Sequence, residues 1–244
     1  MTGGLIVTPF GPPYRLINMY WQEDEEQSKR VSDSIVDVVY GLDCRSLPVD
    51  HAFSLSEAIL EHLPWLVDEQ GAGIHPISIP EAGNGWLRPE GGDELLHLSK
   101  RTKLTLRIPS ERFDEAAELC GKQLVVAGNN LTVLKMRERL LQPMETVFSR
   151  YNVLKDGMDE AAFMQDVMQT LQAMGIKPRK MLPGRAHSLR TDEGELQTLT
   201  LMIADLSQED SLRIQQNGIG EHQHMGCGLF IPQKSITEVH EVHE

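Results

Sequence analysis

The sequence predicts an α+β protein built from two βαββαβ units in tandem, and three observations lead there. Stretches of partly alternating, β-branched residues interleave with stretches whose apolar residues recur every three to four positions. The two kinds follow one another as strand, helix, strand, strand, helix, strand, and after Pro143 that order begins again. With 244 residues, 40% of them hydrophobic, the chain is long enough to bury two cores.

Residues 1–33 carry Gly, Pro and the acidic run Glu23 to Glu26 without a sustained period, and read as an irregular arm. The first unit spans 34–142. SIVDVVYGLDCR at 34–45 forms its first strand, closed by Leu47-Pro48. In the helix that follows, Ser54 and Glu57 have capping-box spacing, and Leu55, Ile59, Leu63 and Leu66 make an apolar stripe that Pro64 disturbs. A strand-like piece at 74–79 and a glycine-containing loop at 81–93 precede an alternating strand at 103–108. A helix starting at Pro109-Ser110 stops at Gly121, and strands joined by an Asn129-Asn130 turn continue to about Arg139.

The second unit, 143–235, repeats the order. Its elements are a strand at 146–153, a helix at 159–174 ended by Gly175, a hairpin-like link through 177–190 and a strand at 196–204. A helix at 207–216, with Ser207 and Asp210 in capping positions, and a last strand at 226–231 complete it. Residues 236–244 form a flexible tail.

No run of about 18 apolar residues and no signal-peptide pattern exists, which leads to a cytoplasmic protein with no membrane partner. Cys44, Cys120 and Cys227 are odd in number and far apart, and read as reduced thiols. The net charge of −13 argues against non-specific coating of nucleic acid. Yet twelve of the 23 bases fall in three groups: Lys100, Arg101, Lys103 and Arg107; Lys135, Arg137 and Arg139; and Lys177, Arg179, Lys180, Arg185 and Arg190. Such grouping lets an acidic protein present one positive face to a polyanion, unless these are merely solvated strand edges.

The most informative segment is Gly218 to Phe230, GIGEHQHMGCGLF, with four glycines in eleven residues between a helix and a strand. Its amides are suited to phosphate oxygens. It is no dinucleotide fingerprint, because the third glycine is missing and the element order is reversed. His222, His224 and Cys227 lack a fourth ligand nearby, and the HEVHE tail at 240–244 is not HExxH, so neither a metal nor a cofactor is expected.

The paired pattern at 218–220 and 226–228 resembles the glycine-rich loop of the repeat-associated RNA-binding (RAMP) superfamily of CRISPR systems. MYWQEDEE at 19–26, LPVDHAFSL at 47–55, LPWL at 63–66, GIHPI at 73–77 and SLRIQQNGIGEHQHMGCGLFIP at 211–232 resemble its MYXAN-type repeat-processing endoribonucleases. The resemblance implies two ferredoxin-like, RRM-like domains that cut precursor CRISPR RNA within its repeats without metal. The 2′-hydroxyl would attack in line, leaving a 2′,3′-cyclic phosphate and a 5′-hydroxyl. It also implies repeat RNA and other subunits of an effector complex as partners.

Family members often place a histidine between the first strand and first helix, where this chain has His51, expected as the catalytic base or acid. His75 in GIHPI is the second candidate. Arg101, Lys103 and Arg107 share strand parity, as do Lys135, Arg137 and Arg139, and each set is expected to hold phosphate. Lys177, Arg179, Lys180, Arg185 and Arg190 are expected to grip a repeat stem, and Gly218, Gly220, Gly226 and Gly228 to meet the RNA backbone. The competing readings are a non-cleaving subunit that holds repeat RNA and an acidic scaffold with no RNA role.

Overall fold

The computed structural model describes residues 34–79 and 91–234. The arm at 1–33, most of the 81–93 loop and the tail at 236–244 lie outside the described residues. In the first unit the elements are β1 (Ile35–Asp43), β2 (Ser46–Pro48), α1 (Ala52–Leu60), β3 (Gly73–His75), β4 (Leu95–His97), β5 (Lys103–Pro109), the short helix α2 (Phe113–Ala116), β6 (Gln123–Val126) and β7 (Asn129–Leu140). The second contains β8 (Val147–Val153), α3 (Glu160–Ala173), β9 (Lys180–Arg190), β10 (Glu195–Ala204), α4 (Gln208–Asn217) and β11 (Phe230–Pro232).

Both units have the strand order of a ferredoxin-like fold. The second sheet runs β11-β8-β10-β9, which in order of appearance is fourth, first, third, second. The first runs β3-β5-β1-β7-β6, the same order extended by the hairpin strand β6. All pairings named here are antiparallel. One face of each sheet carries a core. Val36, Val38, Tyr40, Leu104, Leu106 and Ile108 pack with Leu55, Ile59, Leu63 and Leu66, which bears out the stripe expected across Pro64. Val147, Leu201, Ile203 and Phe230 pack with Phe163, Val167, Leu171 and Ile214 in the second.

Several local expectations change. α1 starts at Ala52, so Ser54 lies inside its first turn and the Ser54–Glu57 capping box does not form. The His51 ring explains this: Nδ1 donates to Pro48 O at 2.8 Å and Nε2 accepts from Ile77 N at 3.0 Å, fixing the chain direction ahead of Ser54. The β6–β7 turn falls at Ala127-Gly128, both at positive φ as a two-residue hairpin requires, while Asn129 and Asn130 pair with Val126 and Val125. Residues 180–190, expected as a link, are an edge strand paired along β10, and β11 begins only at Phe230. A two-stranded sheet of β2 and β4 had no counterpart in the sequence reading. The cap expected at Ser207 forms, accepting from Asp210 N at 3.0 Å, and Asp159 also caps α3, accepting from Ala162 N at 2.8 Å.

The two units are joined through Arg107, only 1% exposed. Its Nε donates to Asp37 Oδ1 of the neighbouring strand at 3.0 Å, and Nη1 donates to the carbonyls of Gln215 and Phe230 in the second unit at 2.8 and 2.7 Å. Burial alone would raise the Asp37 carboxyl, but the Arg107 guanidinium and His75 outweigh it and hold it well below the usual carboxylate range. A second junction at the surface ties Arg190 to Asp50 and Asp93 at 2.9 and 2.7 Å.

Removing one side of a buried ion pair leaves the other charge uncompensated, so Arg107→Met is expected to cost about 3–5 kcal/mol in urea unfolding. Asp37→Asn should show the pH signature. Because the folded-state carboxyl is depressed, its contribution is complete above about pH 4 and is lost as pH falls below that. The stability gap between wild type and Asp37→Asn should therefore close in acid; a gap independent of pH would contradict this account.

Candidate functional site

On β5 the two-residue period sends Leu104, Leu106 and Ile108 to the core and Lys103, Thr105 and Arg107 to the helix-free face. Cross-strand register builds rows on that face. Gly73, Arg107, Asp37 and Arg139 lie side by side, and the next row holds His75, Thr105, Val39 and Arg137. The helix-free face of the second sheet comes up against this one, and a cleft of about 330 Å³ opens between them. One wall is His75, Ser78, Lys103, Thr105 and Arg139; the other is Phe148, Arg150, Leu229, Ile231 and Gln233.

His75 is the imidazole of this cleft. It is partly buried, with Nε2 at 3.7 Å from Asp37 Oδ1. Burial lowers its proton affinity and Asp37 opposes that, the net direction being downward, so the ring is neutral at pH 7. Arg139 donates to Asp37 Oδ2 at 2.9 Å with its side chain still 45% exposed, leaving guanidinium surface toward the cleft. Arg150 shares the face of Phe148 by the two-residue period of β8, and a bulge follows there: residues 150 and 151 together oppose Thr200, since Leu199 pairs with Asn152 and Leu201 with Ser149. Adjacent side chains then meet, and Arg150 Nε donates to the Tyr151 hydroxyl at 3.0 Å.

The structure brings together only some of the residues singled out by sequence. His75, Lys103 and Arg139 share the cleft, with Lys135 and Arg137 exposed further along β7. His51 is 2% exposed and both ring nitrogens are engaged by backbone, which is a bracing geometry rather than one ready to exchange a proton with a ligand. Arg107 was expected to hold phosphate on the same strand face, but that end of the face is covered by the second unit, and its Nε and Nη1 are taken by Asp37 and by the carbonyls of Gln215 and Phe230. Arg190 and Lys180 are paired with acids, the latter with Asp205 at 3.0 Å. Arg101, Lys177, Arg179 and Arg185 are exposed outside the cleft lining.

Three of the four loop glycines are buried, and their amides are occupied: Gly218 N by Ile214 O, Gly226 N by Gln223 O and Gly228 N by Tyr151 O. Two of them are required by close approach. A Cβ on Gly228 would lie 1.7 Å from Ile219 O, and one on Gly226 would lie 2.4 Å from Pro76 Cδ and 2.9 Å from Ile74 O. The loop thus braces the segment that carries His75, and of the four glycines only Gly220 is exposed.

Sequence reasoning missed Asp37, Phe148, Arg150 and Gln233. An acid inside the otherwise apolar run IVDVVYGL was a visible signal for Asp37. Nothing comparable marked Arg150, a single base in the strand at 146–153.

The Cas6 Crispr family matches residues 36–235. The CRISPR-associated endonuclease Cas6 of Myxococcus xanthus is 32% identical over 204 residues, covering 84% of each chain. Among solved structures, a CRISPR associated protein Cas6 superposes with a TM-score of 0.56 at 12% identity, covering 82% of this chain and all of the other. A RAMP protein described as binding different RNA substrates gives 0.54 at 17% identity, over 80% of this chain and 98% of that one. At these identities the superpositions speak for the fold, two ferredoxin-like domains in tandem, while the family match and the Myxococcus relative extend across nearly all the described residues. The chain belongs to the Cas6 family.

Proposed function

We propose that this protein is a metal-independent endoribonuclease that cuts precursor CRISPR RNA within its repeats, and that it does so in the cleft between the two sheets. The observation that carries the reading is the convergence there of a neutral imidazole, His75, with the cations Lys103, Arg139 and Arg150. The endonuclease name of the Myxococcus relative supports the reaction class.

In the proposed reaction neutral His75 takes the proton of the 2′-hydroxyl as its oxygen attacks phosphorus in line. The P–O2′ bond forms and the P–O5′ bond breaks. Protonation of the leaving 5′-oxygen falls to Lys103, since the guanidinium groups of Arg139 and Arg150 keep their protons and serve to hold the phosphate charge. The products are a 2′,3′-cyclic phosphate and a 5′-hydroxyl. The role expected of His51 passes in this reading to His75, because both His51 nitrogens are committed to Pro48 and Ile77.

Purified protein incubated with labelled repeat RNA in EDTA is expected to give a single cut that a 2′-deoxy nucleotide at the cut site abolishes. His75→Ala should slow that cut by about 100-fold or more, with RNA affinity little changed. His51→Ala should instead cost about 1–3 kcal/mol of stability, by orphaning two buried backbone groups, and leave the rate of the folded fraction near wild type. Tight binding with no cut would point to a non-cleaving subunit.

The cleavage rate should also rise with pH along a limb whose midpoint lies below about 6.5, the ordinary histidine value, and then level off through neutrality. The sign follows from the downward shift of His75, whose neutral form is the active one. A rate that falls over this range would assign His75 the acid role instead.

A further inference from the structure

The cleft has two chemically different walls, and the proposed cutting reaction uses His75 and the charged groups but none of the apolar ones. Across the second sheet, register sets Ile231, Phe148, Met202 and Leu182 in one row on the helix-free face, with Ile231 and Leu182 39% and 59% exposed. Phe148 and Ile231 line the cleft itself, opposite Lys103 and Arg139. Exposed apolar surface facing a basic wall suits a ligand that carries an anion at one end and a flat apolar face at the other.

We propose that Phe148 is the stacking platform for one unpaired nucleobase next to the scissile phosphate. This rests on the reading that RNA is cut in this cleft and adds how the substrate must be presented. The volume of about 330 Å³ is at the small end of ligand sites and suits a single nucleotide rather than a duplex. Arg150, anchored by Tyr151, stands on the same wall as Phe148, so phosphate and base are held from alternate positions of one strand. The Gln233 amide and the Ser78 hydroxyl also line the cleft and offer donors and acceptors to a base edge. A base inside an A-form stack cannot lie on a phenyl ring, so the nucleotide at the cut is unstacked when bound.

The test uses repeat RNA made uncleavable by a 2′-deoxy nucleotide at the cut site, with abasic nucleotides introduced singly on either side. For the wild-type protein one abasic position is expected to weaken binding by about five- to a hundred-fold. Phe148→Leu should weaken binding of the intact RNA by a similar factor and show no further loss at that position, while Phe148→Tyr should behave as wild type. Phe148→Met, which is longer and more adaptable than leucine but has no ring, provides the same comparison where the leucine variant does not fold.

The proposal is overturned if the phenylalanine and abasic losses multiply at every position, or if Phe148→Leu binds as wild type. Should that variant bind as wild type while Leu182→Lys abolishes self-association in sedimentation, the apolar row belongs to a protein contact. Absence of repeat-RNA binding by the wild type would overturn the nuclease reading itself, whereas cutting without Phe148 coupling would overturn only this inference.

Discussion

The geometry of this protein depends on one buried guanidinium. Arg107 stands on a central strand of the first sheet, where a lysine would supply a single charged point and no fixed fork. Arginine has separate nitrogens at set angles, and the structure uses two of them in different directions: Nε toward the carboxylate of its own sheet, Nη1 toward two carbonyls of the other unit. Gln215 O lies at the end of α4 and Phe230 O at the start of β11. One side chain thus fixes where the second sheet begins relative to the first, and with it the cleft. Its counter-ion is shared. Asp37 also accepts from Arg139 and faces His75, so the group that closes the domain junction also sets the charge environment of the cleft.

That arrangement reconciles an acidic chain with a polyanionic substrate. Of the basic residues, several are neutralised within the fold, among them Arg107, Arg112, Lys155, Lys180, Arg190 and Arg213. Unevenly distributed positive charge then matters more than its sum. Lys103, Arg139 and Arg150 converge on a concave site while the net charge of −13 discourages binding elsewhere, a distribution that favours one location on the protein over indiscriminate coating. Low-dielectric walls around a cleft focus such a field more strongly than an open surface does.

Much of the fold was legible in the sequence because the signals were local. The stripe from Leu55 to Leu66, the cap at Ser207 and Gly175 after α3 depend on residues within a few positions of one another, and the structure contains all of them, whereas the helix expected to run up to Gly121 is α-helical only over Phe113–Ala116. Where the reading slipped, a distant partner had decided. The start of α1 is set by a bond between His51 and Ile77, and Arg107 is buried because a second unit more than a hundred residues later covers its end of the strand. The same parity argument that grouped Lys103 with Arg107 correctly put them on one face, but periodicity carries no information on which part of a face remains open. For the site, His75, Lys103 and Arg139 were among the residues singled out, while Phe148 and Arg150 were not, since β8 looks like any half-buried strand until its neighbour is known.

The glycine loop shows how a motif can shape a cleft through close backbone contact. Glycine at 228 allows the chain to run against Ile219, closing the loop on itself through the Ile219 N to Gly228 O bond of 3.0 Å. Glycine at 226 allows the closed loop to press on Pro76 and Ile74, the residues on either side of His75. A side chain at either place would push the loop away from β3, and the imidazole would move with the strand that carries it. Gly218, Gly226 and Gly228 therefore share one physical purpose, which is to let backbone lie on backbone behind the segment that carries His75, whereas a side chain at Gly220 would meet open space. Phosphate nests require free amides, and those of Gly218, Gly226 and Gly228 are already bonded. On this account the pattern marks the loop, whose Gly226 lines the cleft, as its back wall, with Lys103, Arg139 and Arg150 elsewhere on the same lining.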